Sequence, residues 1–159
     1  MACPVTGRLG VAEPWHERLA RVGLTHVEVA SLTIGYRTPE EVMAAAAPVI
    51  RSVLPDANVP TAVRRSGVPV VHAHVSERDA ILDAWLAEHD EGVAVVVGDP
   101  GFRARDRVRS LSPELTKGLE FDLVVLVDPA AWGSGIEGTV DRYVAMTRAT
   151  QRLVVLTRG

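Results

Sequence analysis

Three short segments hold the residue types that chemistry on a phosphate requires. The first is Gly35-Tyr36-Arg37-Thr38-Pro39, between a strand-like run and a helix start. A guanidinium there can reach out from the end of a sheet, where α/β folds take ligands; it can equally pair with a nearby surface carboxylate. The second is Ser112-Pro113-Glu114-Leu115-Thr116-Lys117-Gly118-Leu119-Glu120-Phe121-Asp122, which runs into Leu-Val-Val-Leu-Val. Gly118 permits a tight turn before a strand. Glu120 can accept hydrogen bonds from a sugar hydroxyl, or Glu120 and Lys117 can simply be solvated. The third is Tyr143-Val144-Ala145-Met146-Thr147-Arg148-Ala149-Thr150-Gln151-Arg152-Leu153. Tyr143 and Met146 match one helix face, and Arg148 falls near the helix end. Beside a terminal phosphate, such an Arg stabilises transition-state charge; otherwise it complements the negative end of its own helix.

The elements that must position these residues alternate between strand and helix. Residues 1–14 carry Pro4, Gly7, Gly10 and Pro14 without a period and read as a lead-in, followed by a short helix from Trp15 to Val22. Val27–Leu32 reads as a strand. Thr38, Pro39 and Glu41 read as an N-cap, first helical residue and capping box, opening a helix to about Leu54, kinked at Pro48. Residues 55–67 read as a loop and Val68–Val75 as a strand, with Ser76 capping a helix from Glu77 to about His89. Strands follow over Val93–Val97, Val108–Leu111, Phe121–Val127 and Leu153–Leu156. Residues 128–139 read as a Gly-rich loop and Val140–Thr147 as a helix. The ten residues between Val97 and Val108 are too few for a full helical crossover between parallel neighbours, so a reduced or different connection is expected there. The pattern predicts an α/β domain with a mostly parallel sheet flanked by helices.

Composition narrows the function classes. Aromatics are 4% of the 159 residues, so the core must be built from Val, Leu, Ala and Ile, as buried parallel strands prefer. The net charge of −3 argues against nucleic-acid binding by bulk charge. The lone Cys3 excludes an internal disulfide and fits a reducing compartment, and the sequence has neither a secretory signal nor a membrane-spanning run. A cytoplasmic location without membrane partners is expected. His72 and His74 alternate on a strand, but no acidic or Cys partners complete a metal site. Trp15, Trp85 and Trp132 are scattered and expected to pack, and turn chemistry accounts for Asp128-Pro129.

Taken in order, the three segments resemble motifs IV, V and VI of UvrD/Rep-type superfamily 1 helicases: Gly-Tyr-Arg-Thr-Pro, Thr-Lys-Gly-Leu-Glu-Phe-Asp and Tyr-Val-Ala-Met-Thr-Arg-Ala. The resemblance implies a second, C-terminal RecA-like domain of P-loop-NTPase type over residues 27–159, preceded by a lead-in over 1–26. No G-x-x-x-x-G-K-[ST] occurs, so the phosphate-binding loop and the Mg2+ ligands are expected from an N-terminal RecA-like domain of the same parent protein. For this chain the resemblance implies catalytic roles for Arg148 and Arg37 at the γ-phosphate of ATP. It also implies nucleotide contacts from Glu120, at the ribose, and from Gly118, and nucleic-acid contacts from Ser112, Thr116 and Lys117. The domain would complete an ATP site in trans and have no turnover alone.

Two departures bear on the partner. UvrD-type enzymes insert a large subdomain between motifs IV and V, whereas the residues available here are all used by core elements. Ser112 and Glu114 stand where the family has the Thr and His that help hold single-stranded DNA, and a carboxylate facing a phosphodiester is repulsive. An insertion-free domain ending soon after motif VI is similar to the HelD-type ATPases, which act on RNA polymerase. DNA and RNA polymerase both stand as partners, alongside a non-catalytic interaction domain that keeps the fold. Arg103, Arg105, Arg107 and Arg109 would share one face of an extended strand, either as a phosphate-binding stripe or as a solvated sheet edge.

Overall fold

The structure, a computed structural model, describes residues 15–26 and 34–159. The lead-in of residues 1–14 and the strand expected over Val27–Leu32 lie outside the described residues. The chain divides into two units, Met1–Leu32 and Thr33–Gly159, each described by itself. In the first, helix α1 (Trp15–Arg21) has Glu17 in its first turn and Arg18 and Arg21 in its last, the charge order that complements the helix dipole.

In the second unit the elements run β1 (Ile34–Gly35), α2 (Glu40–Arg51), β2 (Thr61–Ala62), β3 (Val71–His74), α3 (Arg78–Glu88), β4 (Ala94–Val97), β5 (Val108–Leu111), β6 (Phe121–Val127), α4 (Gly135–Met146) and β7 (Ala149–Thr157). Five strands form one all-parallel sheet in the order β3-β7-β6-β4-β5, and β1 and β2 form a small parallel pair. This is the α/β fold that the strand–helix alternation predicts.

Strand alternation sends side chains into two cores. Val95, Val97, Val124, Leu126 and Leu153 meet Val42 and Ala46 of α2 and Ala145 and Met146 of α4 on one face. Ala94, Val96, Leu123, Val125, Val154 and Leu156 meet Leu82 and Trp85 of α3 on the other. β4 and β6 are therefore apolar on both faces, which is why Val93–Val97 and, after Asp122, Leu123–Val127 read as continuous apolar runs. A register shift between β6 and β7 at Phe121/Leu123 lets the entry to β6 depart from the ladder.

Several local expectations are revised. Pro39 is the N-cap of α2, without a side-chain cap. The Thr38 hydroxyl instead donates to the Thr147 carbonyl (3.1 Å), and the Glu41 carboxylate accepts the amides of Ser66 (3.1 Å) and Gly67 (2.9 Å). These longer-range partners replace the local capping box. α2 continues past Pro48 but stops at Arg51. The loop after it contains β2, too short to show a period. Ser76 does not cap α3; the His74 ring accepts the Ser76 amide and opens a 3-10 turn over Val75–Glu77. α4 starts at Gly135, five residues before the expected Val140, and β7 starts at Ala149.

Between β4 and β5 there is no helix. The chain turns at Gly98–Gly101, then makes a tight reversal in which Arg105 and Val108 exchange backbone hydrogen bonds at 3.0 Å, with Arg107 in the left-handed region (φ 57°). This reversal dismantles the expected arginine face, because only Arg109 lies in a strand. Arg105 pairs with Asp83 (2.8 Å), and Arg107 turns in over the Trp85 ring and donates to the Leu86 carbonyl (3.4 Å).

Candidate functional site

The entries of β6 and β7 lie side by side. The Phe121 amide donates to the Arg148 carbonyl (3.0 Å), and the Thr150 hydroxyl donates to the Phe121 carbonyl (3.2 Å). Glu120 and Arg148, each one residue before a strand, are thereby neighbours at the amino edge of the sheet. Arg37, from the turn between β1 and α2, joins them: its Nη1 donates to Glu120 Oε1 at 2.6 Å. The segments that supply these three residues are far apart in sequence, and the fold brings them together.

Arg64 fixes this arrangement. Its Nη2 donates to the Arg37 carbonyl (2.7 Å) and to the Thr150 carbonyl, tying the Arg37 turn to β7. The Glu40 amide donates back to the Arg64 carbonyl (2.8 Å). Arg64 sits in the stretch that reads as an unpatterned loop, so no periodic or motif signal marks it in the sequence.

Arg148 differs from Arg37 in its surroundings. Arg37 is 80% exposed and Glu120 42% exposed, so their pair is a surface contact. Arg148 is half-buried; its Nε donates to the Val144 carbonyl (3.1 Å) and its Nη2 to the Thr147 hydroxyl (3.4 Å). Burial pushes its pKa below the usual arginine value, with Glu120 and Tyr143 opposing and Arg37 adding to the decrease. An arginine remains charged despite such a shift. No carboxylate lies within ion-pair distance of Arg148 among the described residues. Burial raises the Tyr143 hydroxyl above its usual range, against the pull of Arg148 and Arg51. The edge thus presents a half-buried cation without a carboxylate in contact, next to an exposed ion pair that is easily exchanged. This is a donor set suited to a multiply charged anion.

The remaining candidates from the sequence are distributed differently. Gly118 has φ +78° with open space where a Cβ would lie, so glycine is required by the backbone there and not by a neighbour. Lys117 Nζ stands 3.9 Å from Asp141 Oδ1. Thr116 is fully buried, and its hydroxyl donates to the Pro113 carbonyl (2.8 Å) inside its own 3-10 turn (Pro113–Thr116). Ser112 precedes that turn, past the carboxyl end of β5. Among the described residues no hydrogen bond or ion pair joins Ser112, Thr116 or Lys117 to Arg37, Glu120 or Arg148. Arg37 also departs from expectation in place: it follows β1 but sits at the amino edge of the main sheet, opposite the carboxyl-end crevice of α/β folds.

Among the described residues no group of His, Cys, Asp and Glu gathers to hold a metal ion, and no helix is long and apolar enough to cross a membrane. His72 is exposed, and His74 is occupied as a turn cap.

No family model and no curated protein matches the sequence. Among solved structures, the chain is similar to the C-terminal domain of a possible DNA helicase from Lactobacillus plantarum. The TM-score is 0.55 at 16% identity, over 79% of this chain and 88% of that one. At that identity the likeness establishes the fold. The arterivirus nonstructural protein 10 helicase superposes at a TM-score of 0.45 and 20% identity, over 83% of this chain and only 26% of that chain.

Proposed function

We propose that this chain is the C-terminal motor half of a superfamily 1 helicase-type ATPase, completing in trans an ATP site whose phosphate loop belongs to an N-terminal RecA-like domain. The observation that carries this reading is the convergence of Arg37, Glu120 and Arg148 at one sheet edge, with Arg148 half-buried and, among the described residues, without a contacting carboxylate. The residues present fit a nucleotide: Arg148 and Arg37 would hold the γ-phosphate, and Glu120 the ribose. ATP with Mg2+ supplies the phosphoryl group and its counter-charge, and this chain supplies positioning and charge stabilisation.

Nucleotide entry requires Arg37 and Glu120 to part. An exposed pair of this kind contributes about 0–1 kcal/mol, so the exchange is cheap beside a charge-assisted phosphate contact. The motor would couple hydrolysis to movement on DNA or to remodelling of RNA polymerase complexes. The C-terminal domain of a possible DNA helicase as structural neighbour supports the motor reading.

The 159-residue chain alone should not turn over ATP, and turnover by the purified chain would refute the proposal. In the two-domain protein, Arg148→Ala should abolish turnover while circular dichroism and thermal unfolding show the fold intact. Unchanged turnover would remove Arg148 from its role.

A further inference from the structure

The opposite edge of the sheet carries a cleft of its own. β4 leaves toward β5, and β6 leaves through α4 toward β7 on the other side. Adjacent strands whose connections depart in opposite directions open a crevice at their carboxyl ends, where open α/β sheets bind ligands. The crevice here has a volume of about 330 Å³ and lies between the turn after β4, the segment after β5, and Trp132 and Asp141 after β6.

Its chemistry is apolar with a negative rim. Trp132, Leu111, Pro100 and Pro113 supply apolar surface, and Asp99, Glu114 and Asp141 supply carboxylates, with no cation in the lining. The indole is fixed: Trp132 Nε1 donates to the Val127 carbonyl (3.0 Å), and the ring lies where a Cβ on Gly98 would be, with Cζ2 2.8 Å from that point. Asp99 is neutralised by Arg78, and Asp141 is held only loosely by Lys117 at 3.9 Å. Glu114 has no ion-pair partner among the described residues, and the next residue, Leu115, is 60% exposed. A free carboxylate, a loosely paired one, a fixed indole face and an exposed leucine complement a cation on an apolar stem. They repel a phosphodiester.

We propose that this carboxyl-end cleft is a docking site for a protein segment bearing arginine or lysine next to an apolar residue. The cation enters between Glu114 and Asp141 against the Trp132 ring, and the apolar neighbour covers Leu115. The site is separate from the nucleotide edge and does not depend on it.

The test is NMR titration of the 15N-labelled chain, following the Trp132 indole N–H, with a peptide of alternating Arg and Leu and, separately, with oligo-dT. The peptide should shift Trp132 saturably. Glu114→Lys, at an exposed position, should weaken it about tenfold, and high salt should weaken it as screening predicts. Leu115→Ser should weaken it without reversing charge. Arg148→Ala should leave it unchanged while removing tripolyphosphate binding at the other edge, so the two proposals fail separately. No shift with the peptide, or affinity indifferent to Glu114→Lys, would overturn the proposal. A Trp132 shift with oligo-dT that strengthens on Glu114→Lys would also overturn it and assign the cleft to nucleic acid.

Discussion

Arg64 carries more of the edge that holds Arg37, Glu120 and Arg148 than its place in an unpatterned loop suggests. One guanidinium nitrogen serves two carbonyls, one on the Arg37 turn and one on β7. Removing it leaves the part-buried Thr150 carbonyl without its donor, and a hydrogen bond to a charged group contributes about 1.5–3 kcal/mol net of its exchange with water. Arg64→Ala should therefore lower unfolding stability by roughly 1–2 kcal/mol in urea titrations. It should also reduce tripolyphosphate affinity by releasing the Arg37 turn. Arg64→Lys should not restore binding, because an ammonium lacks the planar fork; full rescue by Lys would mean that charge alone is needed. The segments that carry Arg37, Glu120 and Arg148 stand out in the sequence because each is long and local, and the fold brings them to one edge. Arg64 does not stand out, because its role rests on contacts to residues distant in the chain.

At the scale of the element, the start of α2 shows the same limit. Thr38-Pro39-Glu40-Glu41 has every local mark of a capping box, yet the Glu41 carboxylate turns to the Ser66 and Gly67 amides. Gly67, in the left-handed region (φ +72°), bends its amide toward that carboxylate. Tertiary partners and the residue's own amide take the carboxylate from the Thr38 amide that a capping box would use, and no period-based reading can see that. The apolar strands β4 and β6, by contrast, match the sequence expectation to within a residue, because burial on both faces leaves the unbroken apolar runs Val93–Val97 and Leu123–Val127. Hydrogen bonds from its own amide and from those of Ser66 and Gly67 hold the Glu41 carboxyl below its usual pKa, against burial. A depressed folded pKa gives stability that is complete above the ordinary carboxylate value and lost as pH falls through the lowered one. Glu41→Gln should thus melt below the parent at neutral pH, and the gap should close on acidification. A gap that persists or widens in acid would show that the carboxylate charge is not what α2 uses.

At the scale of the molecule, the sheet separates two edges and two faces with different chemistry. Arg37 leads into α2 and Arg148 follows α4, and both helices pack on the face that contains Leu126. The face that contains Leu123 carries α3, which contributes no residue to the cluster of Arg37, Glu120 and Arg148. Leu123 and Leu126 are both fully buried in β6, so truncation of either should cost about 2–5 kcal/mol through lost burial and a residual cavity. The functional consequences should differ. A cavity under α2 and α4 loosens the helices that aim Arg37 and Arg148, and 1 Å of misplacement at such a site costs on the order of 10²-fold in rate. Comparing Leu126→Ala with Leu123→Ala at temperatures where both remain folded, tripolyphosphate affinity should fall in the first and hold in the second. Equal losses would mean that the sheet itself, and not the α2–α4 layer, positions the anion site. Basic-peptide binding at the far edge is a control for Leu123→Ala alone, because Trp132 and Leu111 of the cleft pack against the same core as Leu126.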